Sequence, residues 1–143
     1  MIDVKTINKD GEDYVINTGS PHYIKFDVNV ANKNVFAEGK AIRNNDTYKS
    51  EGINVNFVED KNDHLFVRTY ERGVEDETYA CGTGVTAVAL ANAIAKNLKG
   101  KNETAIKVLG GNLNIKYNYD GETFTDIFLE GPAQFVFEGT FEI

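Results

Sequence analysis

The chain is poor in the residues that most often announce a function: among 143 residues there are one cysteine, two histidines, two prolines and no tryptophan. A single cysteine cannot close an intramolecular disulfide. Two histidines and one cysteine leave a zinc centre of the His/Cys type almost without ligands. Long apolar runs are missing too; the longest, Ala87 to Ala91, is far too short to span a bilayer. The opening Met1-Ile2-Asp3-Val4-Lys5 has no positive stretch followed by an apolar core, so no secretory signal is read and a cytoplasmic location is expected. Basic clusters are absent. The 15 Lys and Arg residues are scattered against 22 Asp and Glu, for a net charge of −7, which argues against nucleic acid as a partner. A small zwitterionic ligand, needing only one local cation, stays compatible with that balance. No phosphate-cradling loop, dinucleotide fingerprint or lysine setting of pyridoxal type occurs, and no cofactor is expected.

What is present is an ordinary globular composition, 41% hydrophobic and 26% charged, at single-domain length. Most of it alternates with the period of strands. His22 to Val30 carries Ile24, Phe26, Val28 and Val30 on one face. Ile53, Val55 and Phe57 alternate with Asn54 and Asn56, and His64 to Tyr70 follows. Further strands are read around Leu113 to Tyr119, at Phe124 to Glu130 and at Gln134 to Ile143. Turn signals separate them at Lys9-Asp10-Gly11, Asp60-Lys61-Asn62-Asp63, Gly110-Gly111 and Tyr119-Asp120-Gly121. Asn34 to Asn44 reads as a short helix. The main helix runs from about Thr83 to Leu98; between Val85 and Ala95 its only polar residues are Thr86 and Asn92. A helix apolar nearly all round is buried on every side. Lys96 and Lys99 close it ahead of Gly100, as dipole and capping chemistry favour. The expected fold is α+β, a curled mixed or antiparallel sheet or barrel wrapped around one buried central helix.

The most telling segment is Tyr70-Glu71-Arg72-Gly73 followed by Tyr79-Ala80-Cys81-Gly82-Thr83-Gly84-Val85. It sets the lone cysteine in a glycine-flanked turn opening directly into the apolar helix. A sulfur there feels the positive end of the helix dipole and the unpaired N–H groups of the first turn, which favour thiolate over thiol. The same N–H groups can hold a carboxylate. A lone cysteine is ordinarily an inert small hydrophobe; the setting argues for a site instead.

These pieces, taken in order, resemble the diaminopimelate epimerase family of cofactor-independent amino-acid racemases. The matching stretches are Asn17-Thr18-Gly19-Ser20-Pro21-His22, Gly52-Ile53-Asn54-Val55-Asn56-Phe57, Arg68-Thr69-Tyr70-Glu71-Arg72-Gly73, Glu77-Thr78-Tyr79-Ala80-Cys81-Gly82-Thr83-Gly84, Gly110-Gly111-Asn112-Leu113 and Glu130-Gly131-Pro132-Ala133. The resemblance covers nearly the whole chain, yet only the second of the family's two similar halves. It implies an active site in the cleft between halves, each supplying one cysteine and one helix N-terminus. It also implies a strand at residues 134–143 that would pair with the missing first half.

The implied reaction interconverts LL- and meso-2,6-diaminoheptanedioate, a precursor of lysine and of cell wall, by proton transfer at the α-carbon. Inversion without a cofactor needs one group to remove a proton from one face and another to deliver one to the opposite face. The resemblance assigns Cys81 as one such acid/base, with His22 near the reacting centre and Glu71 at the distal ammonium or assisting proton transfer. Gly82 and Thr83 would hold the α-carboxylate by backbone N–H, although Thr83 also suits an N-cap. Arg72 and Asn54 would bind the distal carboxylate. Ser20, where many relatives carry Asn, keeps one hydrogen bond to give, and Asn56 is read as structural. With one of two cysteines, the chain by itself is expected to be inactive. The rival readings are a proline racemase or hydroxyproline epimerase, whose approach to the cysteine typically reads Asp-Arg-Ser-Pro rather than Glu77-Thr78-Tyr79-Ala80, and a non-catalytic, self-associating half-domain.

Overall fold

The computed structural model describes residues 1–143 apart from 6, 134, 135, 137 and 143. A curled sheet separates two apolar clusters, each covered by one helix. Its strands are β1 (Ile7–Asp10), β2 (Asp13–Asn17), β3 (Pro21–Phe26), β4 (Asn54–Asp60), β5 (Leu65–Glu71), β6 (Asp76–Thr78), β7 (Gly100–Val108), β8 (Gly111–Tyr119) and β9 (Phe124–Glu130). Their order is β1-β2-β3-β4-β5-β7-β8-β9, with β6 attached to β5. Neighbours are antiparallel except β3 with β4 and β5 with β7. Parallel pairs need long crossovers. The first runs through α1 (Val35–Arg43) and the second through α2 (Gly82–Lys96).

Of the sheet and the barrel that the pattern allowed, an open sheet forms. Its two ends are tied by an isolated bridge between Val4, ahead of β1, and Phe124 at the start of β9, with N–H···O distances of 3.0 and 2.8 Å. The larger cluster surrounds α2, whose residues from Gly84 to Ala93 are all buried. Burying each of Val85, Val88 and Leu90 is worth about 1.5–3 kcal/mol. Thr86 fits inside because its hydroxyl donates to the Gly82 carbonyl at 2.8 Å. The smaller cluster packs Val35 of α1 with Tyr23, Val55, Phe57 and Tyr70 on the opposite face of the sheet. Asn34 caps α1 by accepting from the Ala37 N–H at 3.1 Å.

Two expectations need correction. The strand read through Val30 stops at Phe26, and Val28 is exposed. Asn29 adopts a left-handed conformation (φ 54°), which asparagine tolerates better than most residues, and Val30 reaches the core through a single 3-10 turn, Val30–Asn32. The second correction is an omission: β1, β2, β6 and β7 have no counterpart among the strands read from the sequence, and β7 carries Thr104, Ile106 and Val108 inward between Glu103, Ala105 and Lys107. The strand expected at 134–143 falls on a stretch in which 134, 135, 137 and 143 lie outside the described residues.

Candidate active site

Cys81 is the N-cap of α2, with extended backbone (φ −135°, ψ 111°) and no capping bond from its side chain. Its carbonyl accepts the first helical N–H, from Val85 at 2.9 Å. Thr83 therefore lies inside the first turn and is not the cap. Among the described residues nothing accepts from the N–H groups of Gly82, Thr83 or Gly84. Cys81, Gly82 and Thr83 are partly exposed while the helix beyond them is buried from Gly84 to Ala93. The positive end of α2 thus meets the surface beside a free thiol.

The parallel crossover brings β3 and β4 against this tip, with His22 opposite Asn54 and Ile24 opposite Asn56. In β5, Thr69 lies opposite Asn56. Asn54 and Asn56 are buried, contrary to the half-exposed polar face that alternation implies. One side of β4 covers the α1 cluster and the other faces α2, so neither side meets water.

Two hydrogen-bonded groups result. In the first, Asn54 Nδ2 donates to Ser20 Oγ (2.9 Å) and to the Pro21 carbonyl (3.0 Å), while its Oδ1 accepts the Arg72 backbone N–H (2.8 Å). The Arg72 guanidinium donates to the Glu51 carbonyl at 3.0 Å and reaches Ser20 Oγ at 3.5 Å. Of the three arginines, Arg43 pairs with Glu75 and Arg68 with Glu77. Arg72 has no carboxylate partner among the described residues, which leaves its charge available for an anion. Glu71 is half-buried, and among the described residues its carboxylate forms no hydrogen bond or ion pair. It joins neither group except by chain adjacency.

The second group leads to the thiol. His22 is fully buried; its Nε2 lies 2.8 Å from Thr83 Oγ1 and its Nδ1 lies 3.1 Å from Asn56 Nδ2. Burial first, and then the positive charge of Arg72, lower its pKa from 6.5 to about 4. Thr83 Oγ1 stands 3.6 Å from Cys81 Sγ, and the Thr83 carbonyl accepts from Thr18 Oγ1 at 2.7 Å. His22 thus approaches the sulfur through Thr83. Asn56, read above as structural, takes part together with Thr69 and Thr18, to which sequence reasoning assigned no role; the Asn-x-Asn spacing of residues 54 and 56 was the available signal. A separate surface hollow of about 700 Å³, between Lys101, Lys116, Tyr117 and Phe128, contains no candidate residue.

Solved structures share this architecture. A protein described as a predicted epimerase, from Pseudomonas aeruginosa, matches with a TM-score of 0.56 and 14% identity over 75% of this chain and 36% of its own. A phenazine biosynthesis protein of Bacillus anthracis matches with a TM-score of 0.53 and 23% identity, over 85% and 38%. At such identities the likeness is one of fold. The sequence is more specific: the family model for diaminopimelate epimerase matches residues 14–136. The diaminopimelate epimerase of Flavobacterium psychrophilum is 46% identical over 98% of this chain and 55% of its own length, and that of Aquifex aeolicus 41% identical over 94% and 49%. The chain belongs to the diaminopimelate epimerase family. It spans about half the length of the curated relatives it matches.

Proposed function

We propose that this chain is the cysteine-bearing second half of a diaminopimelate epimerase, acting with a first half that supplies the opposing acid/base. The observation that carries the reading is the thiol at the partly exposed tip of α2, beside first-turn N–H groups unpaired among the described residues, with the Arg72 guanidinium, which has no carboxylate partner among them, in the turn that follows β5. A substrate whose α-carboxylate accepts from Gly82 and Thr83 N–H presents its α-carbon to Cys81. Its distal carboxylate then meets Arg72, Asn54 and Ser20, and its distal ammonium meets Glu71. Cys81 as thiolate takes the α-proton from one face, or as thiol returns one, while the opposing group does the reverse. Charge developing on the carboxylate is stabilised by the helix N–H donors. No step calls on a coenzyme.

A second charged end on the substrate favours diaminopimelate over proline, which would leave Arg72 and Glu71 without partners. The test has two parts. Amide-resolved titration with meso-diaminopimelate is expected to shift Arg72, Gly82 and Thr83, and titration with proline is not. In D2O the chain alone is expected to give little α-deuterium uptake. Adding the separately prepared first half of the Flavobacterium psychrophilum relative is expected to produce uptake that Cys81→Ala abolishes. Uptake into proline but not diaminopimelate would overturn the substrate; uptake undiminished by Cys81→Ala would overturn the role of the sulfur.

A further inference from the structure

We propose that Asn56 is a positioning residue that fixes the His22 tautomer and thereby makes Thr83 a hydrogen-bond donor to Cys81. The assignment follows from what each partner can do. Asn56 Nδ2 lies 3.1 Å from the Tyr23 carbonyl, which can only accept, so the amide nitrogen must be the atom on that side. Its oxygen then faces Thr69, whose hydroxyl donates to it at 2.8 Å. The second N–H of Asn56 points at His22 Nδ1, 3.1 Å away, and obliges that nitrogen to accept. The ring proton therefore resides on Nε2, which donates to Thr83 Oγ1 at 2.8 Å. Thr83 Oγ1 keeps a second lone pair to which a neutral thiol can donate, while its own proton is free to turn to Cys81 Sγ at 3.6 Å. A thiolate has no proton to offer, so that last direction is forced whenever the sulfur is ionised. With the sulfur ionised, every proton from Thr69 through Asn56, His22 and Thr83 points toward it.

The geometry around the relay supports a fixed arrangement. Asn56 and His22 are wholly buried. A Cβ on Gly84 would stand 2.7 Å from Asn56 Oδ1 and 3.1 Å from His22 Cε1, so glycine is what lets the helix close over both. Burial also keeps His22 neutral above about pH 4, so the ring carries one proton and the choice of nitrogen matters. His22 on this account neither receives a proton from the thiol nor touches it. It transmits an orientation, and the sulfur is presented with a donor rather than a competing acceptor. The catalytic meaning rests on Cys81 being the acid/base proposed above, but the direction of the relay does not.

Nitrogen-detected NMR of the full chain at neutral pH tests it directly. His22 is expected to show a protonated, pyrrole-type Nε2 and a bare, pyridine-type Nδ1; the opposite tautomer would overturn the proposal. Asn56→Asp presents only acceptors to the ring, so His22 Nδ1 is expected to become protonated; an unchanged Nδ1 signal would remove Asn56 from its role. Thr83→Val is expected to slow alkylation of Cys81 by iodoacetamide at neutral pH about tenfold, the scale of one hydrogen bond to a charged acceptor, and Thr83→Ser to restore it. An unaltered rate in Thr83→Val would refute the donation to sulfur. None of these readouts needs turnover. A chain with the expected tautomer that fails to bind diaminopimelate would sink the functional reading alone.

Discussion

His22 is the residue whose environment departs furthest from water while it still carries a titratable group. Its pKa is lowered to about 4 in the folded chain against 6.5 when exposed, so the unfolded chain binds the extra proton first as pH falls. The stability that comes from holding His22 neutral is complete above about pH 6.5, is lost as pH falls toward 4, and changes no further below that. Integrated, it amounts to roughly 3 kcal/mol. Urea denaturation from pH 7 to 5 is expected to show a midpoint that falls in the natural chain and falls less in His22→Gln. Equal slopes would mean that the ring is not buried neutral. Cys81, Arg72 and Ser20 were nominated as candidate site residues by motif alone. Asn56 was not, because alternation in a strand reports that side chains face opposite ways but not what covers each way. Here α1 covers one side and α2 the other, and a polar residue that looks solvent-facing becomes an interior ligand of histidine.

At the level of elements, α2 is legible as a whole, since an unbroken apolar run closed by lysine has few alternatives, but its end is not: Asn97 in the left-handed conformation caps it after Lys96, and Gly100, read as the stop, opens β7. Nor is its approach to the sheet. Gly84 permits that approach, and replacing it with alanine tests it. Alanine is the better helix former by about 1 kcal/mol, but its Cβ would fall 2.7 Å from an Asn56 oxygen held in the relay and 3.1 Å from the His22 ring. Neither neighbour can move without breaking a buried hydrogen bond. Gly84→Ala is therefore expected to lower stability by roughly 1–3 kcal/mol, read as a reduced urea midpoint with unchanged slope. A stabilised variant would show that the contact is looser than it stands. β7 escaped the reading although its alternation is regular, because Lys101, Asn102 and Glu103 at its start resemble a continuation of the helix-terminating loop. Val28 was misjudged for the opposite reason. Its apolar side chain fitted the pattern, but the left-handed turn at Asn29 ends the strand before it and turns it outward.

Across the whole molecule, the thiol is surrounded by pieces that are far apart along the chain. Thr83 meets His22 across 61 residues, and His22 meets Asn56 across 34. Loops of that size close late relative to local helix formation. During refolding, the helical far-UV signal is expected to appear before the alkylation rate of Cys81 reaches its native value, with the latter following the global phase. Native reactivity arriving together with the first helical signal would mean that the helix tip alone conditions the sulfur. The parallel registry of β3 on β4 thus decides when the sulfur acquires its neighbours. On the reading proposed above, a polypeptide still incomplete or misassembled presents Cys81 without the His22–Thr83 contact, so the pocket is the last thing to be assembled.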